Sequence, residues 1–438
     1  MTSSIFTRDP QRFRLSNELH ARPFPLLRSP CRAIFVAIRP IDAAERTLDV
    51  DHSLLIDLID RYGGAHPHPD ARHYSGELGR IWLKWESHTE FVTYTLFIPD
   101  VSETPFAGDS ISMLPRDWLA SVDGDIIAAA MVRVESASSA VEAERYFNAR
   151  LAPCFVGESL AVGFVLEDSA LVASDFRLHE DGFARIAVIQ IGEVGPDRLG
   201  RIVQRLLEIE SYKSFSLLTL PVAREVSAKV TELDNTLAAR TSAAASGAED
   251  PRETLAALTQ LAAEVERLST ETAFRFGAVG AYEAIVNDRI AVLRFQRMGG
   301  RQLFSEFMMR RFDPAMRTCR SAERRLKELS DRVSRASALL STRVQVGVEA
   351  QNQKLLESMN RRAELQLRLQ RTVEGLSVVA ISYYAVSLAA YLLAPAAKTI
   401  GVEKSTMTAL IVVPVVALVW FGLRRIQRLH KASEEKAD

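Results

Sequence analysis

The sequence has few cysteines, and it lacks the short motifs that identify the common enzyme classes. Its three cysteines are far apart and form no CxxC pair, which argues against a disulfide framework or a structural zinc site. No GxSxG, Walker A, GxGxxG or HExxH pattern occurs. The opening MTSSIFTRDPQRFRL has no basic segment followed by an apolar one, so no secretory signal is expected. These absences favour a reducing, cytoplasmic environment, and we predict no catalytic residue, no metal and no cofactor.

Charge is distributed unevenly along the chain, although the formal net charge is only −1. Residues 294–371 carry 18 basic and 8 acidic side chains, whereas residues 1–293 carry 29 and 42. The basic half can attract anionic lipid or nucleic acid, or it can solvate a helix and contact other subunits. Its basic residues are interleaved with acidic ones, which favours the second interpretation. We therefore expect no nucleic-acid partner.

Two uncharged apolar runs near the C-terminus are each long enough to cross a bilayer. They cover 376–395 and 406–423, and only ten residues connect them, which predicts a transmembrane hairpin over 373–426. Arginines precede the first run and follow the second. The positive-inside rule then places both termini, including a tail over 427–438, in the cytoplasm. The lipid bilayer is thus the first expected partner.

One stripe of the first apolar run is small or hydroxyl-bearing at helical spacing. Such a stripe is typical of close helix packing in membranes, and a pore-lining helix of an oligomer would present the same pattern. Neither run contains an acidic residue, which is the usual mark of a cation or proton pathway. We favour packing over a pore. The stripe consists of Ala380, Tyr384, Ser387 and Tyr391.

Residues 196–372 predict a long helical stalk. A first helix opens at Pro196, a turn is expected within 238–251, and Asp313 and Pro314 are suited to the start of the last long helix. Apolar residues in that helix alternate spacings of three and four, as in a coiled coil, so the helix needs neighbouring helices. We expect a homo-oligomer to supply some of them. The apolar positions are Leu326, Leu329, Val333, Ala336 and Leu340.

Residues 1–195 alternate strand-like and helix-like patterns, which predicts an α+β head on the cytoplasmic side. Buried-strand patterns rich in aromatic and β-branched residues cover 31–39, 80–86, 89–98 and 125–135. An Asp181–Gly182 pair divides a further hairpin. A helix is expected between the first two strands, ending at Gly63.

Two short stretches of the head concentrate polar side chains. NELHARPFP places its polar residues beside two prolines, either as a ligand site or as a stiff N-terminal strap, and we favour the strap. KWESHTEF can combine a histidine and carboxylates for acid–base work or simply hydrogen-bond a hairpin tip. A third stretch, HPHPDARH, either gathers His66, His68, Asp70 and His73 around a metal or forms a Pro-rich solvated loop. We favour the loop, because the stretch matches no accepted metal-site spacing. The candidate ligand-binding residues are Asn17, Glu18, His20, Arg22, Glu86 and His88.

Three segments together resemble a bacterial family of uncharacterised membrane-anchored proteins with a domain of unknown function. They are NELHARPFP, KWESHTEF, and LLEIESYKSFSLLTLPVA with EGLSVVAISYYAVSL, and the resemblance extends over nearly the whole chain. The second motif of that family usually reads WERHTEF, and here Ser87 stands in the Arg place. The resemblance implies a protein anchored in a bacterial inner membrane, and it implies no reaction.

A second resemblance is architectural. A head, a very long helix, two spans and a basic end are similar to the CorA-type magnesium channels. Those channels carry Gly-Met-Asn at the outer end of the first span, where this chain has Tyr391 to Pro395 without asparagine.

Three functions follow from these patterns. The leading hypothesis is an oligomeric scaffold or sensor module, tethered to the membrane, with an unknown small-molecule ligand. The alternative is a CorA-like channel or transporter without the Gly-Met-Asn filter. An anchored enzyme that uses Glu18, His20, Arg22 and His88 is the least favoured.

Overall fold

A mixed nine-stranded sheet forms the head in the computed structural model, which describes residues 24–41, 46–106, 114–400 and 403–434. The strands lie across the sheet in the order β2-β3-β4-β1-β5-β8-β7-β6-β9. Only β5 and β8 pair in parallel among them. The predicted α+β class is therefore confirmed. The strands are β1 (Cys31–Pro40), β2 (His73–Leu78), β3 (Ile81–Ser87), β4 (Val92–Ile98), β5 (Gly124–Ala137), β6 (Ala161–Val165), β7 (Ala170–Leu178), β8 (Ala184–Ile191) and β9 (Gln296–Arg297).

Helices follow the stop and start signals of the sequence in several places. The helix after β1 begins where Thr47 Oγ1 accepts the Val50 N–H, and it ends where Gly63 adopts a left-handed conformation. Asp250 caps a later helix whose first residue is Pro251. The helices are α1 (Leu48–Tyr62), α2 (Arg116–Ser121), α3 (Ala140–Tyr146), α4 (Pro196–Leu217), α5 (Thr219–Ser246), α6 (Pro251–Leu293), α7 (Phe304–Ile400) and α8 (Lys404–Glu434).

The two faces of the sheet differ in chemistry. Because side chains alternate along a strand, Leu83 and Trp85 of β3 enter the apolar core beneath α1 and α2. Lys84 and Glu86 of the same strand point to the opposite face, where Lys84 contacts α4. This second face carries the candidate site.

Strand β2 lies in a stretch for which the sequence analysis predicted no strand. Its residues, HYSGEL, include no β-branched side chain, so local preference for a strand is weak. The strand forms at the sheet edge because β3 supplies a complete ladder, from His73 opposite Glu86 to Leu78 opposite Ile81. Tertiary pairing therefore decides this segment.

The long helix α7 begins at Phe304, before the predicted start at Asp313 and Pro314. Phe304 stacks on Phe295 with ring centroids 4.6 Å apart. Glu306 accepts the Leu303 N–H at 3.0 Å, which caps the first turn. These contacts hold the first turn of α7, and Pro314 becomes an interior residue of the helix.

The predicted apolar positions of α7 lie partly inside the chain's own helical bundle. Leu326, Leu329 and Val333 are buried within the first of two compact units, residues 1–337 and 338–438. Polar contacts connect α7 to α6 through Arg320 and Glu283, and to α5 through Arg325 and Thr231. A coiled coil between subunits stays a prediction, as do the domain boundaries at 195 and 372.

Two stretches of the described residues are long and apolar enough to cross a membrane. One is the helical stretch Phe304–Ala394 and the other is Ser405–Arg425. In each, 6% of the apolar window is buried, so these windows are not covered like a core helix of a soluble protein. Length and composition carry this finding, and the hairpin topology stays a prediction.

Candidate functional site

A cleft of about 250 Å³ lies between the polar face of the sheet and helix α4. Strands β1, β3 and β4 form its floor, and one face of α4 and Arg289 of α6 form its walls. The α4 residues recur at spacings of three and four, which places them on one side of the helix. The cleft lies within the unit of residues 1–337. From α4 it is lined by Gln204, Leu207, Glu208, Ser211 and Tyr212.

Five polar side chains form a continuous series along the cleft. Lys84 Nζ lies 3.3 Å from Glu86 Oε2 and donates to Gln204 Oε1 at 2.7 Å. Gln204 Nε2 donates to Glu208 Oε1 at 2.9 Å, and Arg289 Nε donates to Glu208 Oε2. Buried charges require such partners because water is excluded. The series connects the sheet, α4 and α6 across segments far apart in the chain.

Aromatic side chains cover one end of the cleft. His88 stacks on Phe91 with ring centroids 4.4 Å apart, and Phe91 stacks on Phe215 at 4.0 Å. Tyr212 meets Tyr282 at 5.3 Å. Together these rings give the cleft an apolar wall beside its polar series.

The turn that carries His88 is held from the side of α1. Arg46 Nη2 donates to Asp51 Oδ2 at 2.7 Å and to Ser87 Oγ at 3.0 Å. Its Nη1 donates to the Thr89 carbonyl at 3.0 Å. Ser87 Oγ in turn donates to Asp51 at 2.8 Å. Ser87 stands in the Arg place of the WERHTEF motif. The guanidinium of Arg46 lies beside it and comes from another part of the chain.

The same turn is held from the side of α6. Arg275 Nη2 donates to Glu90 Oε2 at 2.5 Å, and the Tyr282 hydroxyl donates to Glu90 Oε1 at 2.6 Å. Burial, followed by the Glu90 carboxylate, raises the pKa of Tyr282 above its ordinary value, so the phenol remains a donor. The KWESHTEF hairpin tip thus connects the cleft to the helical bundle.

The sequence-predicted residues fall in three places. Glu86 and His88 both line the cleft, and their role in binding a ligand stays a prediction. Asn17, Glu18, His20 and Arg22 lie outside the described residues. In the first apolar run, Ala380, Tyr384 and Tyr391 are exposed, and Ser387 donates to the Tyr383 carbonyl of its own helix.

The chain that follows the NELHARPFP motif borders the cleft. Phe24 lines it, and the Leu27 N–H donates to the Pro196 carbonyl at 3.2 Å. A Cβ on Gly200 would lie 1.6 Å from the Pro25 carbonyl oxygen, so only glycine lets the chain cross α4 here. The crossing brings the end of this motif to the helix that walls the cleft.

The histidine-rich stretch does not gather ligands. Among the described residues, no group of three or more histidine, cysteine, aspartate or glutamate side chains is placed to hold a metal. His66 instead pairs with Asp60 at 2.5 Å, and His73 lies in β2.

Reasoning from the sequence missed four of the five side chains in the polar series. Lys84 lies in the recognised KWESHTEF motif, and its alternation with Trp85 could have indicated a separate face. The remaining three, Gln204, Glu208 and Arg289, lie on helices whose pattern gives a buried face without naming what lies opposite.

Comparison with known proteins gives a family but no activity. The sequence model described as "Protein of unknown function (DUF3422)" matches residues 7–430. No curated protein matches the chain. The solved structure of the full-length CmaX protein is similar at 12% identity, over 71% of this chain and 92% of that chain, with a TM-score of 0.20. A TM-score of that size does not establish a shared fold.

Proposed function

Because the chain belongs to the family of unknown function DUF3422, whose description assigns no reaction, we propose its role from its own residues: it is a membrane-anchored sensor whose head binds a small molecule. The cleft between the sheet and α4 carries this proposal. It combines an apolar wall, a few converging polar groups and an opening to solvent, which are the features of small-ligand sites.

Anchoring is supported by the two exposed apolar helical stretches. In a soluble protein, such contiguous apolar surfaces are rare, and lipid would cover them. We expect the full chain to stay in the membrane fraction after an alkaline carbonate wash. A variant that lacks residues 373–438 should be released, and its retention would contradict anchoring by the hairpin.

A sensor also needs a path from the ligand to the rest of the protein. The hairpin tip supplies one, since Glu90 pairs with Arg275 and Tyr282 of α6 while Glu86 and His88 line the cleft. The helical bundle of α5, α6 and the start of α7 would receive the signal, and assembly of several copies would complete it. A strict monomer in native mass spectrometry would contradict the oligomeric part.

The ligand-binding part is tested on the full chain in detergent with a panel of metabolites, by native mass spectrometry and thermal unfolding. We expect at least one compound to bind saturably and Glu86→Gln to change its affinity by about tenfold. Glu232→Gln, which changes a solvent-facing partner of Lys229, is the matched control. Absence of saturable binding across the panel would contradict the proposal.

The channel alternative rests on the stripe in the first apolar run alone. Cysteines placed at Tyr384, Ser387 and Tyr391 would react with a water-soluble thiol reagent if the stripe lined a pore. We expect them to be unreactive in membranes, as helix packing requires.

A further inference from the structure

We propose that the cleft binds a small monocarboxylate with an apolar body, and that Lys84 and Arg289 are its cationic partners. The inference rests on the proposed ligand-binding function and names the chemistry of that ligand. It follows from a count of the hydrogen-bonding groups that the cleft's own residues use and leave unused.

Lys84 is the first unused donor. It is 5% exposed, and an ammonium carries three N–H groups. Gln204 and Glu86 engage two of them, and no acceptor for the third occurs among the described residues. A buried N–H without a partner is unfavourable, so a ligand oxygen here would be strongly held.

Arg289 is the second residue of the cleft with unused donor groups. Its Nε donates to Glu208, and neither Nη group has a partner in the described part of the chain. Other cations lie near Arg289: burial, followed by repulsion from Arg289 and Arg201, lowers the pKa of Arg205 below its ordinary value, and Glu208 opposes this shift. An anionic group would relieve this repulsion.

The acidic residues of the cleft are used more fully. Both oxygens of Glu208 accept hydrogen bonds, from Gln204 and from Arg289. Glu86 has one oxygen near Lys84 and keeps the other, which can accept from a hydroxyl or amino group of the ligand. Among the four charged side chains of the cleft, unused N–H donors therefore exceed unused acceptor oxygens, which favours a ligand that brings acceptors.

The charge balance and volume restrict the anion further. Two cations and two carboxylates give a cleft of no net charge, so one negative charge is easier to accommodate than the two of a phosphate monoester. The cleft volume equals that of about eight waters, which admits a compact molecule. Phe35, Phe91 and Phe97 offer an apolar wall for its body.

Four probes that share one benzyl-sized body separate the chemistries: phenylacetate, its neutral amide phenylacetamide, the cationic phenethylamine, and phenyl phosphate. Binding to the full chain in detergent is measured by calorimetry. We expect phenylacetate to bind saturably and the amide at least about tenfold more weakly, since only the carboxylate pairs with both cations.

Two variants assign the binding to the proposed residues. Lys84→Met and Arg289→Gln should each weaken phenylacetate about tenfold and weaken phenylacetamide clearly less, because the neutral amide oxygen is the weaker acceptor. Lys229→Met is the matched control, since Lys229 pairs with Glu232 and Glu264 outside the cleft. If Lys84→Met fails to fold, the more exposed Arg289 keeps the inference testable.

The opposite results separate this inference from the proposed function. Equal binding of the amide, tighter binding of the amine or the phosphate, or phenylacetate affinity that neither variant changes would overturn the carboxylate inference alone. Absence of binding by all four probes would overturn it as well. The ligand-sensor function would fall only if the metabolite panel also gave no ligand.

Discussion

The two faces of the β3–β4 hairpin share a backbone, but their side chains lie in different environments. On one face, Leu83, Trp85 and Tyr94 enter a continuous apolar core with α1 and α2. On the other, Lys84, Glu86 and Thr95 border a cleft. A sheet covered by helices on both sides would fold well with apolar residues on both, so the buried charges need a reason other than stability.

Substitutions on the two faces should therefore affect different properties of the protein. Changes on the core face should lower the free energy of unfolding and leave ligand chemistry alone, because the core fixes the strand without contacting the cleft. Changes on the cleft face should alter ligand binding and change the free energy of unfolding only a little.

The largest expected effect is on the core face. Trp85→Ala removes a fully buried indole and leaves a cavity, so we expect the free energy of unfolding to fall by about 3–5 kcal/mol. Trp82→Ala is the control on the same strand, because Trp82 is 38% exposed, and it should cost about 1 kcal/mol or less. Denaturant titration of the full chain followed by fluorescence measures both. Equal costs would contradict the division between the faces.

The next effect concerns the connection between the hairpin tip and α6. Glu90→Gln keeps an acceptor for Tyr282 but leaves Arg275 without its carboxylate, which should destabilise the fold by about 1–3 kcal/mol. Glu225→Gln, at an exposed position of α5, is the control, and denaturant titration again measures the change. An unchanged midpoint for Glu90→Gln would show that the tip does not hold α6.

A smaller stability effect is expected on the cleft face. The double variant Lys84→Met/Glu86→Gln neutralises both members of a buried pair, which is often close to neutral for stability, so a change below about 1 kcal/mol is expected. Phenylacetate binding should nevertheless be lost in calorimetry. A loss of stability as large as that of Trp85→Ala would mean that both faces serve the fold.

The smallest effect tests the N-terminal motif. If the motif is a strap, His20→Ala and Arg22→Ala should each lower the free energy of unfolding by about 1 kcal/mol or less. Neither variant should change the affinity for phenylacetate. Thermal unfolding and calorimetry on the same samples measure the two quantities. Lost affinity at unchanged stability would instead assign this motif to the ligand site.

Much of the head could be predicted because its strands carry strong local patterns. Residues 31–39, 80–86 and 89–98 are rich in β-branched or aromatic side chains and form β1, β3 and β4. Strand β2 and the start of α7 were missed. Their stability comes from distant partners, the β3 ladder and Phe295, which no local window contains.

The candidate site could be predicted only in part for the same reason. Glu86 and His88 stand in a dense polar motif, which is visible in the sequence. Lys84 meets Gln204 across 120 positions of chain, and Glu208 meets Arg289 across 81. Pairings at such separations depend on how α4 and α6 pack on the sheet. The apolar periodicity of one helix does not predict which residues of the other helix it contacts.

At Gly200, the chain before β1 can lie against α4 only because the side chain at this position is a hydrogen atom. Any larger group there would lift the Pro25 carbonyl from α4, and Phe24 would leave the cleft with it. Phe24 reaches the cleft from the chain before β1, and that chain lies on α4 where Gly200 leaves room for the Pro25 carbonyl. The space at position 200 therefore limits how closely Phe24 can cover the cleft.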